Sequence, residues 1–509
     1  NVIVSRGQTL FKEFVSAGLM AVISTVVPSA HAQESVEDLV NFKTTKAGIH
    51  SVSVADLLAE GVDIVGLPAA ELALRNRGVS VPISVTGDAV LSETSTIQFL
   101  ADALDTLYTD VNVYTLSLDV SEARRMGVDQ RQIPSGAAAT SYLRQAKYAP
   151  QSKYSFTSPD PKDPFYAKRI SAIGSSKTER FDIVLKNVAV GGNTGNTAAK
   201  LKVNVWGGAD QIGDAKDHSV RFSFNGDMVA AKQFDGLKLA SIQANLADLR
   251  EGKNAITMTL PLDTGYGFDV LQLDEIVVDY PSKFVAENNR IQFESTFSKF
   301  RIFGFSPSQL SGGQDDLVVV RRDTNGAAMM MRKRVACRAG GCAAEIAGTG
   351  RAATYFVSTQ ASLHKPEIAP LPLASDVRSG TAKYLIISHP DFIGDDGDNL
   401  LEDLAAEMQS EMGSADVVDV ESIYAEFGHH LFDPKAIQDY IRYAYTHRNT
   451  RYVLLVGGDV YDYRQFENQD AQSFIPSLYA ATGSNITYAP VDSQYAVSYT
   501  HLTLPTNGC

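Results

Sequence analysis

Two apolar runs in the last quarter of the chain decide its fold: Tyr384-Leu-Ile-Ile-Ser388 and Tyr452-Val-Leu-Leu-Val456-Gly-Gly-Asp459. An unbroken apolar run is typical of a strand buried on both faces of a parallel sheet. Between the two runs lie a helical pattern over residues 400–412, a short strand-like run over residues 416–420 and a helix start at Asp433-Pro434. This alternation of strands and helices predicts a doubly wound parallel α/β sheet.

The carboxyl ends of parallel strands form the edge at which such sheets bind ligands. His389 follows the first run and Gly457–Asp462 follow the last, so we expect them at this edge. Asp459 and Asp462 have two interpretations that the pattern does not separate, since they either shape the rim of a site or cap loops. His429-His430 suggests metal binding, but adjacent side chains diverge and no third ligand lies at helical spacing, which favours a solvated loop.

The residues before this sheet favour short strands. Residues 201–206 alternate apolar and polar side chains, and Asn225-Gly226 is a strong hairpin signal. A jelly-roll-like sandwich either binds carbohydrate or serves only for packing, and packing is favoured because the sequence shows no aromatic platform. We predict a multidomain chain with these parts: a β-rich N-terminal domain, 33–133; a linker rich in Ser, Ala, Pro and Lys, 134–168; a jelly-roll-like β-sandwich, 169–290; a β-rich segment, 291–370; and an incomplete α/β domain, 371–496.

Composition excludes several classes of protein. With 44% hydrophobic and 20% charged residues, the 509-residue chain is ordinary for a globular protein and unlike a disordered one. Its net charge is −14, whereas binding of nucleic acid requires concentrated Lys and Arg, so no nucleic-acid partner is predicted. No stretch reaches the ~20 apolar residues that a bilayer requires, so no membrane span is predicted in the mature chain.

The first 32 residues resemble a signal peptide. A weakly basic start precedes the apolar stretch 14–27, and Ala30-His31-Ala32 is a small-residue cleavage site before Gln33. Cleavage between Ala32 and Gln33 predicts a bacterial protein that is secreted, at the cell surface or periplasmic.

Both ends of the sequence have unusual features. Position 1 is Asn rather than Met, so we expect the natural start to be missing. Residues 497–509 begin with Val-Ser-Tyr-Thr-His-Leu-Thr-Leu-Pro-Thr, which resembles the translation of a sequencing-library adapter. We therefore expect the native sequence to end near Ala496.

Export determines how the cysteines are interpreted. Cys337 and Cys342 bracket a Gly-Gly turn, and in an oxidising compartment this arrangement predicts a local disulfide. A zinc site would need two further ligands, and no histidine cluster lies nearby. A catalytic thiol at either position is the least favoured alternative.

Several motifs in the α/β part resemble the gingipain-type cysteine peptidases. They are Tyr384–Pro390, Phe432–Ala444, Arg451–Tyr463, Ile475–Ser477 and Pro490–Tyr495. The segment 103–115 also looks like the β-rich N-terminal region of bacterial members. The resemblance covers residues 380–496. It implies a caspase-like α/β sheet, of which this chain holds the first half, and a Cys–His dyad that cleaves peptide bonds in proteins or peptides.

The sequence departs from the family at the dyad itself. The family's catalytic His lies in a His-Gly pair and its Cys ends a later strand, yet this sequence has no His-Gly pair. It also has no Cys between Cys342 and Cys509. No catalytic residue is therefore predicted within this chain, and both are expected beyond Ala496. A fragment of this kind is expected to be inactive.

Cofactors and competing functions remain open at this stage. Asp395-Asp396-Gly397-Asp398 resembles a calcium loop but lacks the twelve-residue pattern that ends in Glu. The resemblance requires no cofactor and allows calcium. Two alternatives to an endopeptidase are a non-catalytic exported binding protein that uses its β-sandwich, and a sortase-like transpeptidase of a secretion system.

Overall fold

A computed structural model describes residues 37–157, 163–189, 199–213, 215–338, 340–371, 375–394, 399–483 and 486–496. The predicted signal peptide with its Ala32–Gln33 cleavage site lies outside the described residues. So do Asp395–Asp398 and residues 497–509.

Strands predominate in the described residues. The first eight are β1 Glu37–Thr44, β2 Gly48–Ser53, β3 Leu72–Asn76, β4 Val79–Val81, β5 Ile83–Thr86, β6 Thr96–Ala101, β7 Asn112–Leu118 and β8 Gly127–Asp129. The next eleven are β9 Ser141–Tyr148, β10 Lys153–Tyr154, β11 Phe165–Tyr166, β12 Lys168–Ile173, β13 Lys177–Leu185, β14 Ala199–Gly207, β15 His218–Phe224, β16 Asp227–Phe234, β17 Leu239–Leu246, β18 Gly252–Leu260 and β19 Phe268–Lys283. Eight more follow: β20 Arg290–Ser295, β21 Lys299–Phe305, β22 Leu317–Asp323, β23 Ala328–Met331, β24 Lys333–Arg338, β25 Gly341–Ala347, β26 Ala353–Thr359 and β27 Glu367–Ala369.

Helices concentrate in the last part of the described chain. The strands there are β28 Tyr384–Ser388, β29 Ala415–Asp419, β30 Tyr452–Val456, β31 Tyr479–Ala480 and β32 Ala489–Pro490. The α-helices are α1 Val54–Ala59, α2 Leu400–Met412, α3 Val420–Gly428, α4 Pro434–His447 and α5 Ser493–Ala496. Short 3-10 turns span Ala69–Glu71, Pro307–Gln309, Gly313–Asp316, Gln360–Ser362 and Pro390–Phe392.

The N-terminal strands and the strands after the sandwich are interleaved. One sheet has the order β27-β1-β7-β3-β4, so β27 pairs with the first described strand. Another has the order β20-β26-β22-β23-β8, in which β8 runs parallel to β23. The structure thus joins residues 33–133 and 291–370, which the sequence analysis treats as separate parts. Local patterns predict strands but do not specify the distant partner of each one.

The middle strands form a two-sheet sandwich. One sheet has the order β12-β19-β14-β17, and the other has the order β13-β18-β15-β16. Their inward side chains meet in one core that includes Leu201, Phe222 and Ile256. The linker prediction for residues 134–168 is wrong at β9, because β9 pairs with the second half of β19. Ala146 and Tyr148 of β9 pack against the sandwich core, an alternation that the Ser-, Ala- and Lys-rich composition obscures.

The described residues of the α/β part include three parallel strands in the order β29-β28-β30. This parallel pairing agrees with the alternating pattern of the sequence. Ile386 packs on α2 at one face, whereas Leu385 and Ile387 pack on α3 and α4 at the other. The apolar run of β28 is therefore covered on both sides, as its composition predicts.

Strand β30 lies at the edge of this sheet. Tyr452 is 52% exposed, and Val453 and Leu455 line a cavity of about 310 Å³ together with Ile441 and Tyr495. The described part of the chain thus leaves an apolar surface beside an unpaired strand edge. None of the helices within the described residues has the length and apolar character needed to cross a membrane.

Candidate functional site

The carboxyl ends of β28, β29 and β30 meet at one edge, where Asp419 is the last residue of β29 and His389 and Gly457 follow β28 and β30. The buried Ser388 hydroxyl donates to the Val456 carbonyl over 3.0 Å and joins two of these ends. His389 Nδ1 accepts the Asp391 amide over 3.2 Å, and its ring packs edge-on against Phe474. His389 therefore starts a short turn at the sheet edge.

Asp419 caps α3 at the same edge. Its carboxylate accepts the Glu421 amide over 2.8 Å and the Ser422 hydroxyl over 3.0 Å. Burial, together with repulsion from the Asp419 carboxylate, raises the pKa of the half-buried Glu421 above its ordinary value. Two acidic side chains thus lie next to each other where α3 begins.

Asp459 holds together the segments that follow β30. One carboxylate oxygen accepts the Ser473 hydroxyl over 2.7 Å. The other accepts the Tyr463 hydroxyl over 2.9 Å and the Ser477 amide over 3.0 Å. The Tyr479 hydroxyl lies 3.4 Å from the same oxygen. Asp459 therefore fixes residues 463, 473 and 477 relative to the end of β30.

Asp462 caps the loop that begins immediately after it. Its side chain is buried and accepts the Phe466 amide over 2.8 Å and the Glu467 amide over 2.7 Å. Of the two interpretations that the sequence allows, Asp462 follows the loop-capping one. Asp459 combines both roles, since it fixes loops that lie at the sheet edge.

Tyrosines surround Asp459. The Tyr463 and Tyr479 hydroxyls lie 3.2 Å apart, and the Tyr479 ring stacks on Tyr488 at 4.2 Å. Burial raises the pKa of Tyr463, Tyr479 and Tyr488 above the ordinary value, with negative charge at Asp459 adding to the effect. These three hydroxyls therefore stay protonated over the physiological pH range.

A cavity of about 560 Å³ adjoins this cluster. Residues from two parts of the chain line it, because Leu104–Thr109 of the N-terminal β-rich part face Phe432, Arg464 and Tyr479 of the α/β part. Several buried hydroxyls have no hydrogen-bond partner among the residues that the structure describes, and those of Tyr424 and Tyr488 are two of them.

The other predicted site residues lie elsewhere. Cys337 and Cys342 face each other on β24 and β25 with their Cα atoms 4.0 Å apart, and the structure joins them in a disulfide. His429 and His430 adopt positive φ angles at the end of α3, with His429 exposed. The described residues contain no cluster of three or more side chains suited to a metal ion.

The sequence alone does not reveal the partners of Asp459, nor the contacts of residues 102–111 with the α/β part. Segment 103–115 does attract notice as a family-like motif, but no local pattern reveals that it contacts residues more than three hundred positions later. Contacts between segments so far apart in the sequence can be identified only in the folded structure.

Comparison with known proteins supports a peptidase-type α/β part. Residues 378–505 match the model of peptidase family C25, which confirms the resemblance to the gingipain-type peptidases for this segment. The matched range includes the whole described α/β sheet and continues past Ala496. A search of curated proteins gave no match.

Solved structures add a likeness in fold. The crystal structure of dimeric latent PorU from Porphyromonas gingivalis superposes with a TM-score of 0.60 at 14% identity, covering 90% of this chain and 45% of that one. This chain thus spans less than half of that protein, and the low identity limits the likeness to the fold.

Two further structures are much less similar. The CBM36-1 domain of a xylanase from the hindgut metagenome of Trinervitermes trinervoides has a TM-score of 0.16 at 10% identity, over 21% of this chain and 74% of that one. A β-glucuronidase from Ruminococcus gnavus has a TM-score of 0.14 at 7% identity, over 56% and 64%. Scores this low carry no argument about the sandwich.

Proposed function

We propose, starting from the match of residues 378–505 to peptidase family C25, that this chain is part of an exported cysteine endopeptidase that cleaves proteins or peptides. The observation that carries the proposal is the parallel α/β sheet within the matched range, whose carboxyl edge is lined by fixed loops. In this proposal the protein acts outside the cytoplasm, in line with the signal-like residues 1–32.

The proposed reaction is acyl transfer through a thiol. A Cys thiolate attacks the scissile carbonyl, the C–N bond breaks, and the protonated imidazole of a His gives its proton to the leaving amine. Water then hydrolyses the thioester, which releases the acid product and the thiol. Cys337 and Cys342 do not serve as the nucleophile, because they are joined to each other in a β-hairpin outside the parallel sheet. We therefore assign both members of the dyad to sequence that follows Ala496.

The described residues supply the frame for this chemistry. In this proposal the three parallel strands β28–β30 are one half of a caspase-like sheet, and Asp459 orders the segments that leave β30. The open, apolar edge of β30 supports a continuation of the sheet by further chain. No cofactor enters the proposed reaction. Calcium remains a proposal from the family resemblance, without a ligand set among the described residues.

The test begins by reading the gene beyond the codon for Ala496. We expect a strand followed by His-Gly and, further on, a strand that ends in Cys. The complete protein is then purified and assayed with fluorescent casein, with and without iodoacetamide, beside a variant in which that Cys is replaced by Ala.

Cleavage that both iodoacetamide and the Cys replacement abolish is the expected result. A complete protein that has neither the His-Gly pair nor the later Cys would refute the proposal and favour an exported binding protein. Transfer of the acyl group to an added amine in place of water would instead identify a transpeptidase.

A further inference from the structure

One end of the β-sandwich carries exposed apolar side chains on three neighbouring segments. Ile212, in the loop after β14, is 103% exposed, and Ile173, the last residue of β12, is 76% exposed. These two are the most exposed large apolar side chains among the described residues. Phe268, the first residue of β19, is 43% exposed and is the direct pairing partner of Ile173. We call Ile173, Ile212 and Phe268 the apolar tip.

The three members of the apolar tip lie side by side. Residues that are opposite each other in paired strands point to the same face, so Ile173 and Phe268 project together. The loop that holds Ile212 runs along the other side of Phe268, because Gln211 donates from Nε2 to the Phe268 carbonyl over 3.4 Å. With neighbouring segments about 4.8 Å apart, the apolar tip is about 10 Å wide.

Buried polar groups anchor the loop that presents Ile212. The Asp217 carboxylate is completely buried and accepts the Gln211 amide over 3.1 Å. His218, which is also completely buried, donates from Nε2 to the Ala209 carbonyl over 3.0 Å. Both bonds attach the loop to the sandwich within three residues of Ile212. The fold therefore holds this apolar side chain in solvent.

The apolar tip lies at the far end of the sandwich from its two junctions with the surrounding β-rich part. Strand β19 begins at Phe268, and its last residue, Lys283, pairs with Ser141 beside those junctions. The 16 residues of β19 span up to about 50 Å at 3.3 Å per residue. The tip therefore points away from the junctions.

The charged groups at this end of the sandwich include matched pairs. Lys177 lies 3.3 Å from Glu179, and Lys216 lies 3.8 Å from Asp235. Neither lysine therefore offers an unmatched positive charge to an acidic partner. We infer that contacts made by this end depend on its apolar side chains.

The size and shape of the apolar tip fit a lipid bilayer better than a protein or a sugar. A stable protein interface involves roughly 20–30 residues on each side, whereas the tip offers three. Small molecules such as sugars bind in concave sites, whereas Ile212 protrudes. A bilayer is fluid, takes up apolar side chains one by one and binds more strongly with each apolar group that it buries.

We propose that the apolar tip is a membrane-docking site, at which Ile173, Ile212 and Phe268 insert into a phospholipid bilayer. The signal-like residues 1–32 predict an exported protein, and docking keeps such a protein at a membrane surface. This inference goes beyond the proposed function, because the tip shares no residue with the carboxyl edge of the α/β sheet. Its test does not depend on peptidase activity.

Sedimentation of the complete protein with phosphatidylcholine vesicles measures the docking. Burial of one Ile side chain strengthens partitioning at least tenfold, so Ile173→Ser and Ile212→Ser should each lower the partition coefficient roughly tenfold. The double variant should lower it roughly a hundredfold. Met228→Ser replaces a side chain of similar exposure, 69%, at the opposite end of the sandwich and should have no effect.

The control measurements separate docking from misfolding. The replaced side chains are exposed, so the unfolding midpoint of each variant, followed by circular dichroism, should equal that of wild type. The proposal is overturned if wild type does not sediment with the vesicles or if the double variant binds within twofold of wild type. An equal loss of binding in Met228→Ser would also overturn it.

Tryptophan fluorescence identifies the part of the protein that enters the bilayer. Ile212→Trp and Met228→Trp each add one indole to wild type, which retains Trp206 in both variants. In vesicles of dibrominated phosphatidylcholine, the added fluorescence of Ile212→Trp should be quenched and that of Met228→Trp should not. Equal quenching of the two variants, or none in Ile212→Trp, would show that the tip does not insert.

Two further measurements test the competing partners. Apolar insertion should be insensitive to salt, so a loss of vesicle binding at high salt would indicate adsorption through charges and overturn the proposal. Light scattering of the protein without vesicles tests whether the tip is instead an interface between copies. A dimer that Ile212→Ser dissociates would assign the tip to a second copy, whereas an unchanged oligomeric state supports docking on lipid.

Discussion

Replacing Asp462 with Ala should open the loop after β30. The buried carboxylate accepts two backbone amides, those of Phe466 and Glu467, over 2.8 and 2.7 Å. Hydrogen bonds to a charged group contribute about 1.5–3 kcal/mol each, and we take the lower value because both amides are only half-buried. The expected loss is therefore about 3 kcal/mol of local stability, which corresponds to roughly 100-fold faster opening of the loop.

Hydrogen–deuterium exchange followed by mass spectrometry measures this opening in the peptide that contains residues 463–469. Asp462→Asn retains one acceptor oxygen and should speed exchange roughly tenfold. Asp470→Ala removes an exposed carboxylate from the same loop and should have no effect. If Asp462→Ala speeds exchange less than threefold, Asp462 does not cap this loop and the reasoning fails.

Three further outcomes are expected. N-terminal sequencing of the secreted protein should begin at Gln33, and retention of residues 14–27 would contradict the signal-peptide interpretation. Replacing Cys337 and Cys342 with Ser should cost about 2 kcal/mol of stability by the loop-closure relation, measured as a lowered unfolding midpoint relative to wild type. Burial beside Arg290 lowers the pKa of His364 in the folded chain to about 4, whereas this pKa is near 6.5 in the unfolded chain. Between pH 4 and 6.5 the unfolded chain therefore binds more protons than the folded chain. Stability should therefore fall as the pH drops from about 6.5 to 4, and this slope should be smaller in His364→Gln but unchanged in His447→Gln.

The sequence predicts elements better than it predicts their partners. The apolar run Tyr384–Ser388 specifies a buried parallel strand, because only burial on both faces favours five apolar or small residues in a row. The run Ser141–Tyr148 misleads, because its polar composition resembles a linker although every second residue along part of it faces a core. Composition averages over both faces of a strand and so obscures the alternation.

The candidate site shows the same division. The position after a strand identifies Asp459 and Asp462 as candidate residues. Their different roles follow from the donors whose hydrogen bonds each carboxylate accepts, and the sequence does not show those donors. The contact between Tyr108 and Ser477 joins two segments whose separation in sequence leaves no periodic signal. Such contacts follow from tertiary packing, which local propensity does not encode.

The pairing of β1 with β27 makes the sandwich an insertion within another folded body. The two ends of the insert form β-bridges to the same strand, β21: Ala139 pairs with Phe300, and Val285 pairs with Phe303. At 3.3 Å per residue, Phe300 and Phe303 are about 10 Å apart, so the two ends of the insert lie close together. Asn41 finds its partner, Ala369, only after the whole insert has emerged during synthesis or export. The sandwich strands find all their partners within residues 141–283, so they can pair before β1 meets β27. Pairing of such distant strands is slow, and β1 remains vulnerable to aggregation and proteolysis until residues 367–369 arrive.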